Sequence, residues 1–135
     1  MKKIVYLLSI TFLMLQACSS GDNSSEDNSL LLRKWYLVSY TYQGNTYNST
    51  PCSNGNRDYL EFINPNIANY YHVRSTNDCS FAKEEYTWTK NGNVINFNFH
   101  SNISTLTISE LSATTLIYVE TSSTGSSSIS RFSSN

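Results

Sequence analysis

The sequence predicts an all-β protein: an eight-stranded antiparallel up-and-down β-barrel that follows an N-terminal signal helix and a flexible tether. Three observations predict it. Only 14% of the 135 residues are charged while 13% are aromatic, 10 of them Tyr. Thr, Tyr, Phe, Ile and Val suit a pleated, half-buried surface, and the strong helix formers are scarce. Eight short segments of strand character recur at near-regular spacing, joined by turn-rich stretches with no room for crossover helices. Between two of them stands Lys90-Asn91-Gly92-Asn93, whose Asn-Gly pair is the preferred two-residue hairpin turn because both residues tolerate positive φ. A flat meander of eight strands would expose two edges, and closing it removes them. The interior of such a ring is just wide enough for side chains or one small ligand.

The chain opens with Met1-Lys2-Lys3 and an apolar run from Ile4 to Leu15. That run is shorter than the about 20 apolar residues that span a bilayer, and it fits the core of a secretory signal. It ends in Leu15-Gln16-Ala17-Cys18, which resembles a bacterial lipobox. The resemblance implies that the Cys18 thiol takes a diacylglycerol, that residues 1–17 are removed as a signal peptide, and that the new amine is acylated. Two or three acyl chains hold a protein on a membrane where one alone is marginal. Residues 18–29 then form a tether from lipidated Cys18, because Ser19 to Ser29 contains no apolar residue and can bury nothing. Its acidic residues Asp22, Glu26 and Asp27 resemble the acidic stretch of surface-exported lipoproteins of Gram-negative bacteria, but the leading reading is a plain solvated linker. The implied location is the cell envelope, lipid-anchored at the outer membrane, on its periplasmic face or at the cell surface. Without Lys2 and Lys3 the chain keeps 7 basic against 10 acidic residues, a net charge of −3. No basic run exists, so nucleic acid is not an expected partner.

Export leaves Cys52 and Cys79 as a pair in an oxidising compartment, and a disulfide between them is the expectation. Two free buried thiols are the other reading. Two cysteines without His at ligand spacing fall short of a metal set.

The barrel is expected over residues 30–135. Leu30 to Lys34 reads as a short helical turn, and Trp35 to Tyr42 as the first strand, with Tyr36, Tyr40 and Tyr42 on the face opposite Trp35. Gln43-Gly44-Asn45 turns, Thr46-Tyr47 returns as a ragged piece of strand, and Asn48 to Asn56 is loop. The second and third strands are Asp58 to Ile63 and Ala68 to Arg74, joined at Asn64-Pro65-Asn66, where Pro presets φ. Glu84 to Lys90 is the fourth strand, with Tyr86 and Trp88 on one face. Val94 to Phe99 is the fifth, with Ile95, Phe97 and Phe99 on one side and Asn96 and Asn98 on the other. Ile103 to Ser109, Thr115 to Thr121 and Ser128 to Phe132 complete the set.

With the strands placed, the chain resembles a small lipocalin-like domain of Gram-negative lipoproteins. A Trp after a short helical turn carries the likeness, in Leu32-Arg33-Lys34-Trp35, together with an Arg on the last strand, in Ile129-Ser130-Arg131-Phe132. The penultimate hairpin, Leu106 to Tyr118, carries the rest. The resemblance implies that Trp35 and Arg131 stack across the closed end. One departure is local: the Gly that usually stands two before the Trp is Arg33 here. The barrel is also shorter than a full-size lipocalin, which implies a small cavity or none.

Little in the sequence points to chemistry. His72 and His100 are the only candidates for a base near neutral pH, and neither has a partner at catalytic or ligand spacing. Adjacent Glu84 and Glu85 point to opposite faces of a strand, so they are not a paired acid and base. No enzyme activity and no cofactor are expected. The leading expectation is a membrane-anchored module that binds a small apolar or amphipathic ligand, with Leu37, Phe62, Ile95, Phe97, Leu106, Ile108 and Leu116 as the lining. The alternative is that these residues fill the barrel, which then serves as an interaction or inhibitor module of an envelope complex through its Tyr-rich exterior. The lipobox makes one direct prediction: the wild-type protein incorporates labelled palmitate and Cys18→Ala does not, read by membrane fractionation and autoradiography.

Overall fold

The computed structural model describes residues 28–75, 78–122 and 124–135. The expected signal peptide at 1–17, Cys18 and the tether through residue 27 lie outside the described residues.

Nine strands follow one another: β1 (Lys34–Tyr42), β2 (Asn45–Asn48), β3 (Tyr59–Asn64), β4 (Ile67–Val73), β5 (Phe81–Asn91), β6 (Val94–Phe99), β7 (Asn102–Leu111), β8 (Thr115–Thr121) and β9 (Ser127–Ser133). All pairings are antiparallel, and β1 pairs with β9 as well as with β3. Strands β1 and β3 to β9 therefore form a closed ring of eight. The ragged piece around Tyr47 is β2, which pairs with the second half of β1 as a flap beside the ring. It can do so because β1 is divided: Lys34 to Tyr36 pair with β3, and Ser39 to Tyr42 pair with β2.

Short turns close the hairpins, with differences from the sequence expectation. Gln43 and Gly44 both take positive φ, as do His100 and Ser101. These are the conformations that match strand twist in two-residue hairpin loops. At the Asn-Gly site, Asn91 pairs with Val94, so the loop is Gly92-Asn93 rather than Asn91-Gly92. Only Gly92 of that pair has positive φ, which glycine adopts without a Cβ clash. At the expected Pro turn, Asn64 Oδ1 accepts the amides of Asn66 (3.0 Å) and Ile67 (2.9 Å). The segment before β1 is a turn rather than a helix. It hangs on Asn28 O, which accepts from Leu31 N at 2.9 Å, and it presents Leu31 to the core.

Side chains alternate in and out of the ring, and cross-strand partners share a face. The inward set at one end is large and apolar: Leu31, Trp35, Phe62, Trp88, Ile95, Ile108, Leu116 and Phe132 are all buried. Phe62 meets Trp88 edge to face, with ring centroids 4.9 Å apart. Each indole N–H has an acceptor, Trp35 on Leu31 O (3.1 Å) and Trp88 on Asn64 O (2.9 Å), so neither ring is buried with an unsatisfied donor. This end of the barrel is filled.

One face assignment is corrected. The register shifts between Leu37 and Ser39, and a bulge turns the following residues over. Tyr40 then pairs with Ser130 and Tyr42 with Ser128, on the same face as Phe132. Tyr36 stays outside, but Tyr40 and Tyr42 face the mouth. Tyr47 on β2 stacks on Tyr40, centroids 4.9 Å apart.

Cys52, in the β2–β3 loop, is bonded to Cys79, in the β4–β5 loop, across 27 positions of sequence. Both loops lie at the open end, so the crosslink holds two rim segments together. Replacing both cysteines by Ser is expected to lower stability by about 2–3.5 kcal/mol, the loop-entropy figure for this span, measured by urea denaturation. An unchanged midpoint would mean that the crosslink constrains nothing that folding does not already constrain.

Candidate functional site

Inward-facing residues change character along the barrel. Each of four strands carries a buried apolar residue at the filled end: Phe62, Ile95, Ile108 and Leu116. Two residues further toward the open end, the same strands present Leu60, Phe97, Leu106 and Tyr118. These four line an open cavity of about 230 Å³ together with Tyr70, Tyr86, Ser104 and Glu120. Leu60, Phe97 and Leu106 make its apolar floor. Tyr70, Tyr86 and Tyr118 are its walls.

Of the residues expected to line a ligand site, Phe97 and Leu106 border this cavity. Phe62, Ile95, Ile108 and Leu116 instead pack the core below it. Leu37 borders a separate recess beside Tyr40, Tyr47 and Asp58. The most apolar residues were chosen from the sequence, and those are the ones a filled end requires. The wall residues Tyr70, Tyr86, Tyr118 and Glu120 carry a weaker signal, the period-two step outward from each core residue.

Polar contacts hold the walls. Tyr70 Oη donates to Asp58 Oδ2 (3.4 Å), and Asp58 Oδ1 accepts the Val73 amide (2.8 Å). Tyr86 Oη donates to Glu84 Oε2 (2.5 Å). Burial, then the Asp58 carboxylate, pushes the Tyr70 phenol well above its ordinary range. Burial and the hydrogen bond to Glu84 do the same for Tyr86. Tyr118 is pushed up to about 12, mainly by burial, while its hydrogen bond with Ser130 acts the other way. All three stay neutral phenols at any physiological pH.

The Trp35–Arg131 stack is corrected. Arg131 sits on β9 opposite Ser39 and Ile117, and it is exposed. The alternation that sends its neighbour Phe132 into the core, opposite Leu37 and Leu116, sends Arg131 outward. The guanidinium near the Trp35 ring belongs to Arg33, 5.6 Å from the ring centroid. Arg33 Nη1 also donates to Ala113 O (2.8 Å) in the β7–β8 turn, which ties the entry segment across the filled end. The residue that departs from the family pattern thus occupies the place assigned to Arg131.

The two histidines lie on different elements, His72 on β4 and His100 in the β6–β7 turn. His100 forms a turn with positive φ and stacks on Phe99, centroids 4.2 Å apart. His72 lies near the rim, its ring centroid 6.2 Å from that of Tyr70. Among the described residues no group of three His, Cys, Asp or Glu is placed to hold a metal ion, and no helix is long and apolar enough to cross a membrane.

The closed ring, its plugged end and its open cavity define an eight-stranded antiparallel barrel. The family model described as lipocalin-like domain matches residues 31–118, and the chain belongs to that family. No curated protein matches the sequence. Among solved structures, a lipocalin-like protein from Bacteroides uniformis is similar, with TM-score 0.57 and 16% identity, covering 76% of this chain and 97% of that one. An uncharacterized protein from Bacteroides eggerthii is similar with TM-score 0.56 and 11% identity, covering 76% and 98%. At these identities the likeness is one of fold.

The exchange of arginines is measurable. Arg33→Ala is expected to cost about 0.5–2 kcal/mol in a urea melt, the range for a guanidinium on an indole. Arg131→Ala is expected to stay within about 0.5 kcal/mol of wild type, as an exposed substitution does. The reverse order would restore the family stack.

Proposed function

We propose that the protein is a lipid-anchored binding module of the cell envelope that takes a small amphipathic molecule in the open half of its barrel. The observation that carries the binding reading is the cavity itself: an apolar floor of Leu60, Phe97 and Leu106 under a ring of phenols. Ligand sites of this kind combine apolar lining with a few convergent polar groups. Its volume lies just below the ~300–1,000 Å³ usual for drug-sized ligands, which favours a fragment-sized molecule. The anchor rests on the lipobox-like Leu15-Gln16-Ala17-Cys18 and the polar tether behind it, and with it the outer-membrane location. The reading is one of binding without chemistry.

A second reading has an observation of its own. Tyr36, Tyr59, Tyr71 and Phe81 form an aromatic ladder across the outer face of β1, β3, β4 and β5, with Tyr59 and Tyr71 stacked 4.4 Å apart. Lys34 and Arg57 lie over the Tyr59 and Tyr36 rings, each 5.0 Å from the centroid. Aromatic and Arg side chains are the usual anchors of protein interfaces, which suits a partner in an envelope complex.

Native mass spectrometry of the protein purified from its own host tests the first reading. A co-purifying small molecule is expected on wild type, and at least about tenfold less of it on Ser104→Trp, which fills the cavity from an exposed wall position. A clean apo mass for wild type would sink the binding reading.

A further inference from the structure

Resting on the cavity reading above, we propose that the molecule this barrel takes is a small organic cation, an amine or quaternary ammonium on a short aromatic or apolar body. The sign of the charge comes from what faces inward. In the open half of the ring the inward strand positions include Glu84 on β5 and Glu120 on β8, with Asp58 just before β3. Among the described residues no inward position there carries Lys or Arg, and His72 is the one other titratable group besides the tyrosines. The nearest basic residues look elsewhere: Lys83 points out and pairs with Glu85 at 3.2 Å, and Arg74, exposed beyond the end of β4, acts on Asp78.

The three carboxylates are not equivalent. Asp58 accepts the Val73 amide and the Tyr70 phenol, and Glu84 accepts the Tyr86 phenol. Glu120 lines the cavity, is partly buried, and makes no side-chain hydrogen bond or ion pair among the described residues. It stands beside the Tyr118 and Tyr86 phenols, on both of which its charge is felt. A carboxylate left without a counter-ion beside aromatic walls fits an ammonium group, which gains from the carboxylate and from the ring faces together. An anionic ligand would meet Glu120 and Glu84 at close range. A zwitterionic lipid headgroup would bring a phosphate into the same field. A divalent metal would need ligands closer together than any described group provides.

The test is a matched set of probes: 2-phenylethylamine, 2-phenylethanol and 3-phenylpropionate, titrated into the purified protein by calorimetry and ligand-observed NMR. The amine is expected to bind at least about tenfold more tightly than the alcohol, and the carboxylate more weakly than either. Glu120→Gln is expected to bring the amine down to the level of the alcohol. Raising salt from about 50 to about 500 mM is expected to weaken the amine and leave the alcohol unmoved, a check that needs no variant. Equal binding of amine and alcohol, or preference for the carboxylate, would overturn the cation assignment and leave the cavity reading standing. Binding of none of the three would overturn both.

Discussion

The pairing of β1 with β9, from Tyr36 opposite Ser133 to Tyr42 opposite Ser128, turns a meander into a ring. Every other feature depends on that seam. An open sheet would leave the edges of β1 and β9 unpaired and would have no inside. Once the ring is shut, alternation divides each strand into an enclosed set and a solvated set, and the enclosed set must either pack or leave space. Register has little freedom, because a slip of one residue would exchange Phe132 for Arg131 in the core.

The two ends resolve that choice differently. At the end where β1 begins, two tryptophans, two phenylalanines and three aliphatic residues fill the bore, and the turn before β1 drops Leu31 in as a plug. Arg33 stretches from this plug to Ala113 and covers the Trp35 ring. At the other end tyrosines, serines and acids stand inward above Leu60, Phe97 and Leu106, and they do not fill the bore. Their space stays open, and the phenols lean on Asp58, Glu84 and Ser130 instead of on each other's faces. Filled and open ends are thus two outcomes of one pattern: packing below, an open cavity above. The Cys52–Cys79 bond and the β2 flap stiffen the rim.

Much of this was legible in the chain. Period-two runs such as Ile95-Asn96-Phe97-Asn98-Phe99 state both strand and face, and turn residues divide one run from the next. The crosslink followed from having two cysteines beyond Cys18. Trp35 and Arg131 were paired by analogy, although Phe132, one residue on, is the better core residue. Tyr40 and Tyr42 were placed outside because a bulge at Val38 leaves no mark in the residue pattern. The lining was drawn too deep because apolarity identifies packing, while an open cavity is bordered by residues of mixed character.

Taken alone, the sequence determined that the protein is a β-meander with one apolar face and one expected crosslink, since alternation, turn residues and cysteine count are local properties. It also determined the lipobox resemblance, which involves no folding. Only the tertiary structure decided which guanidinium covers Trp35, which tyrosines face the mouth, and that Glu120 lines the cavity with no side-chain partner among the described residues. Those facts depend on bulges, on strand stagger around the ring, and on residues far apart in the chain meeting at one depth. No local pattern carries that information, because depth in a closed barrel is set by all eight strands at once.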